Sequence, residues 1–312
     1  MLFRIFLMLL VSRLHPPFPP DFDLTNVPHS PCRILNRSSF SQQGCGACAA
    51  FAVSTAVAVQ ECVKRGRDVI PSPHRLFDCA DGECEYGAQL RNVVEVLNMI
   101  KVEDVDVAAA QFGIKCKHPD NILGSLHKMG LPHWYSLFSV DHDDELMMKT
   151  ELYLFNNPIL AVFKPDMEMM LYSSSFRVIG HTGYHSNWLV QPRTTHEPLP
   201  VYHITGTQLS SHVVVILGWG SHPEPHWVVQ NSWGDAWGDH GRGRIAMDDL
   251  AAAAVLDYKV WQTNWVMTIS IVVWLLVVVL EFGPEFWRWV CGKKGLVLKL
   301  KVEDDAGWGV GV

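Results

Sequence analysis

The sequence predicts an α+β fold, with long helices early in the chain and short strands later. The strongest observation is an apolar-periodic segment from Cys48 to Arg65, followed by Gly66, a residue typical of helix ends. Its 18 residues would form a helix of about 27 Å, long enough to cross a domain. Later in the chain, the short apolar runs 159–163 and 212–217 are typical of strands.

Composition limits the kind of protein that this chain can be. The 312 residues are 48% hydrophobic and carry a formal net charge of −7. A chain of this size can bury one sizeable core, or two lobes that share an interface. The modest acidity argues against a nucleic-acid partner.

The remaining elements can be placed in chain order. Residues 89–99 are predicted to form a second helix, and 145–155 an amphipathic helix that ends before Pro158. Residues 179–208 are rich in His, Thr and Pro, and we interpret them as a surface insertion. A metal site in this insertion is conceivable from His181, His185, His196 and His203, but we expect no metal in the protein.

Cys48 lies at the predicted start of the long helix, after a glycine-containing turn. The unpaired N–H groups and the dipole at a helix N-terminus favour negative charge, so a thiol there can have its pKa lowered. Cys45 and Cys48 could instead form half of a metal site or a redox pair, but no second Cys-x-x-Cys lies at usable spacing. Cys48 is therefore a predicted nucleophile that needs a base.

Two downstream motifs supply the partners of such a nucleophile. They are Ser-Ser-His-Val-Val-Val-Ile-Leu-Gly-Trp-Gly at 210–220 and Trp-Val-Val-Gln-Asn-Ser-Trp-Gly at 227–234. Together with Gln-Gln-Gly-Cys-Gly-Ala-Cys at 42–48, they resemble the papain family of cysteine proteases over about residues 19–262. The resemblance implies a helical left lobe, a β-barrel-like right lobe, and peptide-bond hydrolysis without a cofactor in the cleft between them.

The resemblance assigns a catalytic role to four residues. Cys48 would be the nucleophile, His212 the general base and later the acid, and Asn231 the group that orients the imidazole. Gln42 matches the glutamine of the oxyanion hole, and Gln43 is the adjacent alternative.

Two further residues are implied to line the cleft. Gly87 keeps a glycine that offers backbone hydrogen bonds to an extended substrate, and Trp233 matches an aromatic residue that shields the Asn–His contact. The segment 18–24 resembles the mature start of the cathepsin B branch. Because 84–116 has no His-His pair, the occluding loop of that branch is absent, and we expect an endopeptidase with an open cleft.

The cysteines fit the same family. The resemblance implies three disulfides, Cys32–Cys62, Cys45–Cys84 and Cys79–Cys116, which leave Cys48 free for chemistry. Three disulfides indicate an oxidising compartment. Asn36 begins a glycosylation sequon that is usable if the domain is lumenal.

The ends of the chain suggest a membrane protein. Residues 1–18 resemble either a signal peptide or the remnant of a truncated pro-segment, and 263–281 predict a transmembrane helix. Residues 282–312 would then form a cytoplasmic tail, in which Cys291 could be palmitoylated or idle. We expect a type I membrane protein of a lysosome-like endomembrane compartment or of the cell surface, acting on peptide or protein substrates and inhibited by cystatin-type proteins.

Three departures from the family support a different function. Ala49, Tyr86 and Ser211 replace the residues usual at their positions, and no full pro-segment precedes the domain. The alternative is therefore a membrane-tethered binding protein with a papain fold that has lost proteolysis.

Overall fold

The computed structural model describes residues 18–27, 32–36, 39–99, 111–113, 116, 134–141, 144–182, 187–192 and 199–259. All of them except Trp134 and Lys259 belong to one compact unit. No helix within these ranges is long and apolar enough to cross a bilayer. The predicted transmembrane helix 263–281, the tail 282–312 and residues 1–17 lie outside the described part of the chain.

The helices occupy mainly the first half of the described chain. They are α1 (Arg33–Asn36), α2 (Cys48–Arg65), α3 (Pro73–Cys79), α4 (Leu90–Met99) and α5 (Glu145–Tyr153). The predicted helix at 48–65 is confirmed, and it ends because Gly66 adopts a left-handed conformation and its N–H bonds back to the carbonyl of Cys62. Helix α5 ends two residues earlier than predicted.

The strands form one large antiparallel sheet and one separate pair. They are β1 (Phe22–Asp23), β2 (Trp134–Val140), β3 (Ile159–Phe163), β4 (Phe176–Thr182), β5 (Asn187–Pro192), β6 (His212–Gly220), β7 (His226–Gln230), β8 (Arg242–Ala246) and β9 (Ala252–Lys259). The sheet has the order β2-β9-β3-β6-β7-β8, with β1 also paired to β6. The predicted α+β class is therefore confirmed.

The segment interpreted as a surface insertion contains regular structure. Strands β4 and β5 pair with each other, and Thr182 lies opposite Asn187. The end of β4 and all of β5 fall within 179–208, a segment for which we predicted no strand.

The central strand β6 separates two hydrophobic clusters, because alternate residues of a strand point to opposite faces. Val213, Val215 and Leu217 pack with the apolar residues of α2, α3 and α4. Val214 and Ile216 pack on the other face, in a cluster that includes residues of α5 and of the other strands. Helix α2 and strand β6 therefore meet in the first cluster. Cys48 is the first residue of α2, and His212 is the first residue of β6.

Candidate active site

Cys48 is half-buried at the first position of α2. Ala47, which precedes it, provides no side-chain cap, so the first turn of the helix has no side-chain acceptor from that position. Backbone N–H groups of Cys48 itself, of Ala49 and of Val213 point to the sulfur. Because Val213 directly follows His212, this contact places the sulfur beside the start of β6.

Burial raises the pKa of the Cys48 thiol above its ordinary value, and the three N–H groups oppose this effect without overcoming it. The position at a helix N-terminus led us to expect a lowered pKa. The net direction is the opposite, because the helix dipole and N–H groups act on a sulfur that has lost much of its contact with water. Burial therefore disfavours the thiolate, and a nearby base that takes the proton would oppose this effect.

The contact between His212 and Asn231 fixes the proton on the imidazole. Nε2 of His212 lies 2.8 Å from Oδ1 of Asn231, and the same oxygen accepts the backbone N–H of Ser232 at 2.7 Å. Since a backbone N–H can only donate, the atom that faces it is the amide oxygen and not the nitrogen. Nε2 must then carry the proton and donate it to Oδ1, which leaves Nδ1 able to accept one.

Aromatic rings enclose the imidazole of His212. Phe163 lies opposite it in the register of β3 and β6, with ring centroids 5.5 Å apart, and the indole of Trp233 is tilted by 33° at 4.4 Å. His212 is 5% exposed. This burial lowers its pKa to about 4, although the hydrogen bond with Asn231 acts in the other direction. The imidazole is thus neutral at neutral pH, as a general base must be.

The side chain of Gln42 is buried beside the turn that leads to Cys48. Its Nε2 donates to the carbonyl oxygen of Cys45 at 2.8 Å, and its Oε1 accepts the hydroxyl of Ser232 at 2.7 Å. Because a carbonyl can only accept, the contact with Cys45 fixes which end of the amide carries the N–H groups, and the amide has a second N–H that can donate to an oxyanion. Gln43, the alternative, is exposed.

Gln42 and Asn231 lie on two segments that run antiparallel to each other. We call this pairing of 39–42 with 231–235 the strap. Its backbone hydrogen bonds run from Gly234 to Phe40 (2.9 Å) and from Gln42 to Ser232 (2.8 Å). The strap therefore joins the segment that precedes Cys48 to the segment that contains Asn231.

A sequence profile described as "Papain family cysteine protease" matches residues 19–191 and 194–260. The chain belongs to this family. Its curated relatives include a "Gut-specific cysteine proteinase" of Caenorhabditis elegans, 23% identical over 67% of this chain and 63% of that protein. The chain thus spans slightly less than two thirds of the length of this relative.

Solved structures of the family share the fold. ProCathepsin B S9 from Trypanosoma congolense has a TM-score of 0.56 and 21% identity, and the match covers 79% of this chain and 80% of that chain. The bromelain protease from Ananas comosus in complex with the E64 inhibitor has a TM-score of 0.52 and 21% identity, over 77% and 99%.

Gly87, for which the resemblance implies a role in substrate binding, lies in a tight turn whose backbone approaches Gly46. Its φ of +80° is a conformation that favours glycine. Its N–H donates to the carbonyl of Glu83 at 2.6 Å, and its carbonyl accepts the N–H of Glu83 at 3.1 Å. A substrate could still use the second lone pair of the carbonyl, whereas the N–H would first have to leave Glu83. The disulfide Cys45–Cys84 and a hydrogen bond from Gly46 to Cys84 hold this turn beside the Cys48 loop.

The remaining predicted residues fall into three groups. The disulfide bonds of the structure join the pairs that the resemblance implies, Cys32–Cys62, Cys45–Cys84 and Cys79–Cys116. Asn36 is the last residue of α1, and the other two residues of its sequon lie outside the described ranges. The described residues contain no group of three candidate metal ligands; His185 and His196 lie outside those residues.

Sequence reasoning missed Ser232 as a member of the site. This serine contacts both Asn231 and Gln42 and is 6% exposed. The available signal was its position inside the Asn-Ser-Trp motif, where a polar residue sits between two residues of the site. Tyr86, one of the three departures from the family, is 61% exposed.

Proposed function

We propose that the chain is a cysteine peptidase that hydrolyses peptide bonds through an acyl-thioester at Cys48. The observation that carries this proposal is the hydrogen bond from His212 Nε2 to Asn231 Oδ1, because it leaves Nδ1 as the basic nitrogen. The sulfur of Cys48 lies against the N–H of Val213, the residue next to that base. A thiol, a base and a group that orients the base are the parts that nucleophilic catalysis requires.

The first half of the reaction forms the acyl-enzyme. The thiol of Cys48 gives its proton to Nδ1 of His212 while the sulfur bonds to the carbonyl carbon of the substrate. The carbonyl oxygen becomes an oxyanion, which accepts hydrogen bonds from the Cys48 N–H and from the second N–H of Gln42. The C–N bond then breaks, and His212 gives its proton to the departing amine.

The second half releases the acid. A water molecule gives a proton to His212 as its oxygen bonds to the acyl carbon. The sulfur departs, takes the proton back, and leaves a carboxylic acid product. In both halves the imidazole first accepts a proton and then donates it. Because the pKa of His212 is lowered to about 4, the imidazole is neutral at neutral pH and free to accept that proton.

The enzyme would act in an oxidising compartment, since three disulfides close its helical part. We further propose that the enzyme is an endopeptidase of the cathepsin B branch. It would be inhibited by cystatin-type proteins and anchored in the membrane through 263–281. The family resemblance and the apolar sequence of 263–281 support it. Cleavage of peptides blocked at both ends would distinguish an endopeptidase from an exopeptidase.

Peptide hydrolysis and thiol labelling by the full-length chain test the proposal. An epoxide such as E64, the inhibitor in the bromelain complex, should attach to Cys48 and stop the hydrolysis of a fluorogenic peptide. Cys48→Ser and His212→Ala should each lower kcat/KM by about a thousandfold or more. His203→Ala, which alters an exposed histidine paired with Glu224, should leave kcat/KM within about twofold.

Two results would contradict the proposed peptidase function. A folded chain that neither hydrolyses peptides nor reacts with the epoxide would exclude the peptidase and leave the binding protein as the function. Labelling that persists in Cys48→Ser would place the nucleophile elsewhere.

A further inference from the structure

Ser232 lies between the two amide side chains of the site. Its backbone N–H donates to Oδ1 of Asn231 at 2.7 Å, and its hydroxyl lies 2.7 Å from Oε1 of Gln42. Its carbonyl also accepts the backbone N–H of Gln42 at 2.8 Å. Gln42 and Ser232 are 7% and 6% exposed, so water competes little for these contacts.

The amide of Gln42 needs such a partner. A glutamine amide can rotate about its last torsion, and only one of its two ends carries donors. The carbonyl of Cys45 binds the nitrogen end at 2.8 Å, and the hydroxyl of Ser232 donates to the oxygen end. Each contact would be lost if the amide turned over, so the two together select one orientation.

Resting on the peptidase function proposed above, we infer that Ser232 is a positioning residue for the oxyanion hole. It holds the Gln42 amide so that the N–H not bonded to Cys45 is directed at the developing oxyanion. This N–H interacts more strongly with an oxyanion than with a ground-state carbonyl. Loss of the Ser232 hydroxyl should therefore lower kcat more than it changes KM.

A second serine of the strap separates positioning from a general effect on stability. The hydroxyl of Ser39 donates to the backbone carbonyl of Asn231 at 2.7 Å, as short a contact as that of Ser232. Unlike the Ser232 hydroxyl, it bonds to the main chain and not to an amide side chain. The Ser39 hydroxyl also lies 3.1 Å from the carbonyl of Phe40. Ser232→Ala and Ser39→Ala thus each remove one hydroxyl from the strap, and only the first releases Gln42.

The test compares these variants in the full-length chain. Ser232→Ala should lower kcat about tenfold with KM within about twofold, less than the hundredfold expected when an oxyanion-hole donor is removed outright. Ser39→Ala should lower Tm by a similar amount as Ser232→Ala but keep kcat within about twofold. In a Gln42→Ala background, Ser232→Ala should cause no further loss of kcat, because the group that it positions is already gone.

Two kinetic results would overturn the inference. One is an unchanged kcat in Ser232→Ala, and the other is an equal loss of kcat with and without the Gln42 side chain.

If the wild-type chain hydrolyses no peptide, the proposed function fails, and the orientation of Gln42 is measured directly. The side-chain ¹⁵N–¹H₂ signals of Gln42 should then exchange with solvent about tenfold faster in Ser232→Ala than in Ser39→Ala. Equal exchange rates would refute the positioning role.

Discussion

His212 donates its Nε2–H to Oδ1 of Asn231 across 2.8 Å, although 19 residues separate the two in the sequence. The oxygen is identified by a second donor, the backbone N–H of Ser232. One hydrogen bond therefore sets both the orientation of the ring and the position of its proton. The catalytic predictions depend on this contact.

Replacing Asn231 by aspartate should move the acid limb of the pH–rate profile. Asn231→Asp keeps an acceptor for Nε2 but adds a negative charge, which favours the imidazolium and raises the pKa of His212. The midpoint of the acid limb of kcat/KM should rise by about one unit or more. Asn231→Ala should lower kcat/KM without that upward shift, and the exposed Asn26→Asp should change neither quantity.

Gln42 and Gln43 should differ sharply in their effect on catalysis. Gln42→Ala removes the buried side chain that contacts the Cys45 turn, and kcat should fall about a hundredfold. Gln43→Ala removes an exposed side chain, and kcat should change by about twofold or less. The reverse ranking in steady-state assays would show that Gln43 supplies the oxyanion donor.

The buried His212 should make the protein less stable in acid. Its pKa is about 4 in the folded chain against an ordinary 6.5. Between these values the unfolded chain binds the proton and the folded chain does not, so the stability contributed by the neutral imidazole is present above pH 6.5 and lost as the pH falls towards 4.

Urea unfolding at a series of pH values measures this effect. The free energy of unfolding of the wild type, relative to His212→Ala, should fall by about 3 kcal/mol from pH 6.5 to pH 4. His74 and His226, whose pKa values burial also lowers, remain in both proteins and cancel in the difference. Parallel curves for the two proteins would show that His212 is not held neutral by the fold.

The disulfide Cys45–Cys84 should matter for catalysis as well as for stability. Replacing both cysteines by alanine removes a link across 39 residues and should cost about 2 to 4 kcal/mol of unfolding free energy. It also frees the turn that bears Gly87, so KM should rise. Alanines at Cys32 and Cys62 break a link near the far end of α2, and should cost similar stability while KM stays unchanged.

Much of the fold was predictable because its signals are local. The apolar periodicity from Cys48 and the stop at Gly66 give the long helix without knowledge of the rest of the chain. The run at 212–217 likewise gives the central strand, which the structure extends to Gly220. The pairing of β4 with β5 was not predicted, because we interpreted 179–208 as a surface insertion although each strand contains a short apolar run.

The chemistry of the site was less predictable because it depends on packing between distant segments. The helix N-terminus favours a lower pKa for Cys48, but burial raises it, and the extent of burial depends on the whole fold. Ser232 and Gln42 are 190 residues apart, and their contact exists only because the strap pairs their segments. A sequence motif identifies each of these residues but does not predict the contact between them.

The acyl-thioester at Cys48 is the central claim, and trapping it is the most direct test. The full-length chain would be mixed with an activated ester of a short peptide, quenched in acid within milliseconds, and examined by mass spectrometry. A mass increase equal to the acyl group, located on the peptide that contains Cys48, should accumulate in the wild type and be absent from Cys48→Ser and His212→Ala. Hydrolysis of the ester without an adduct, or with an adduct on another residue, would contradict the claim.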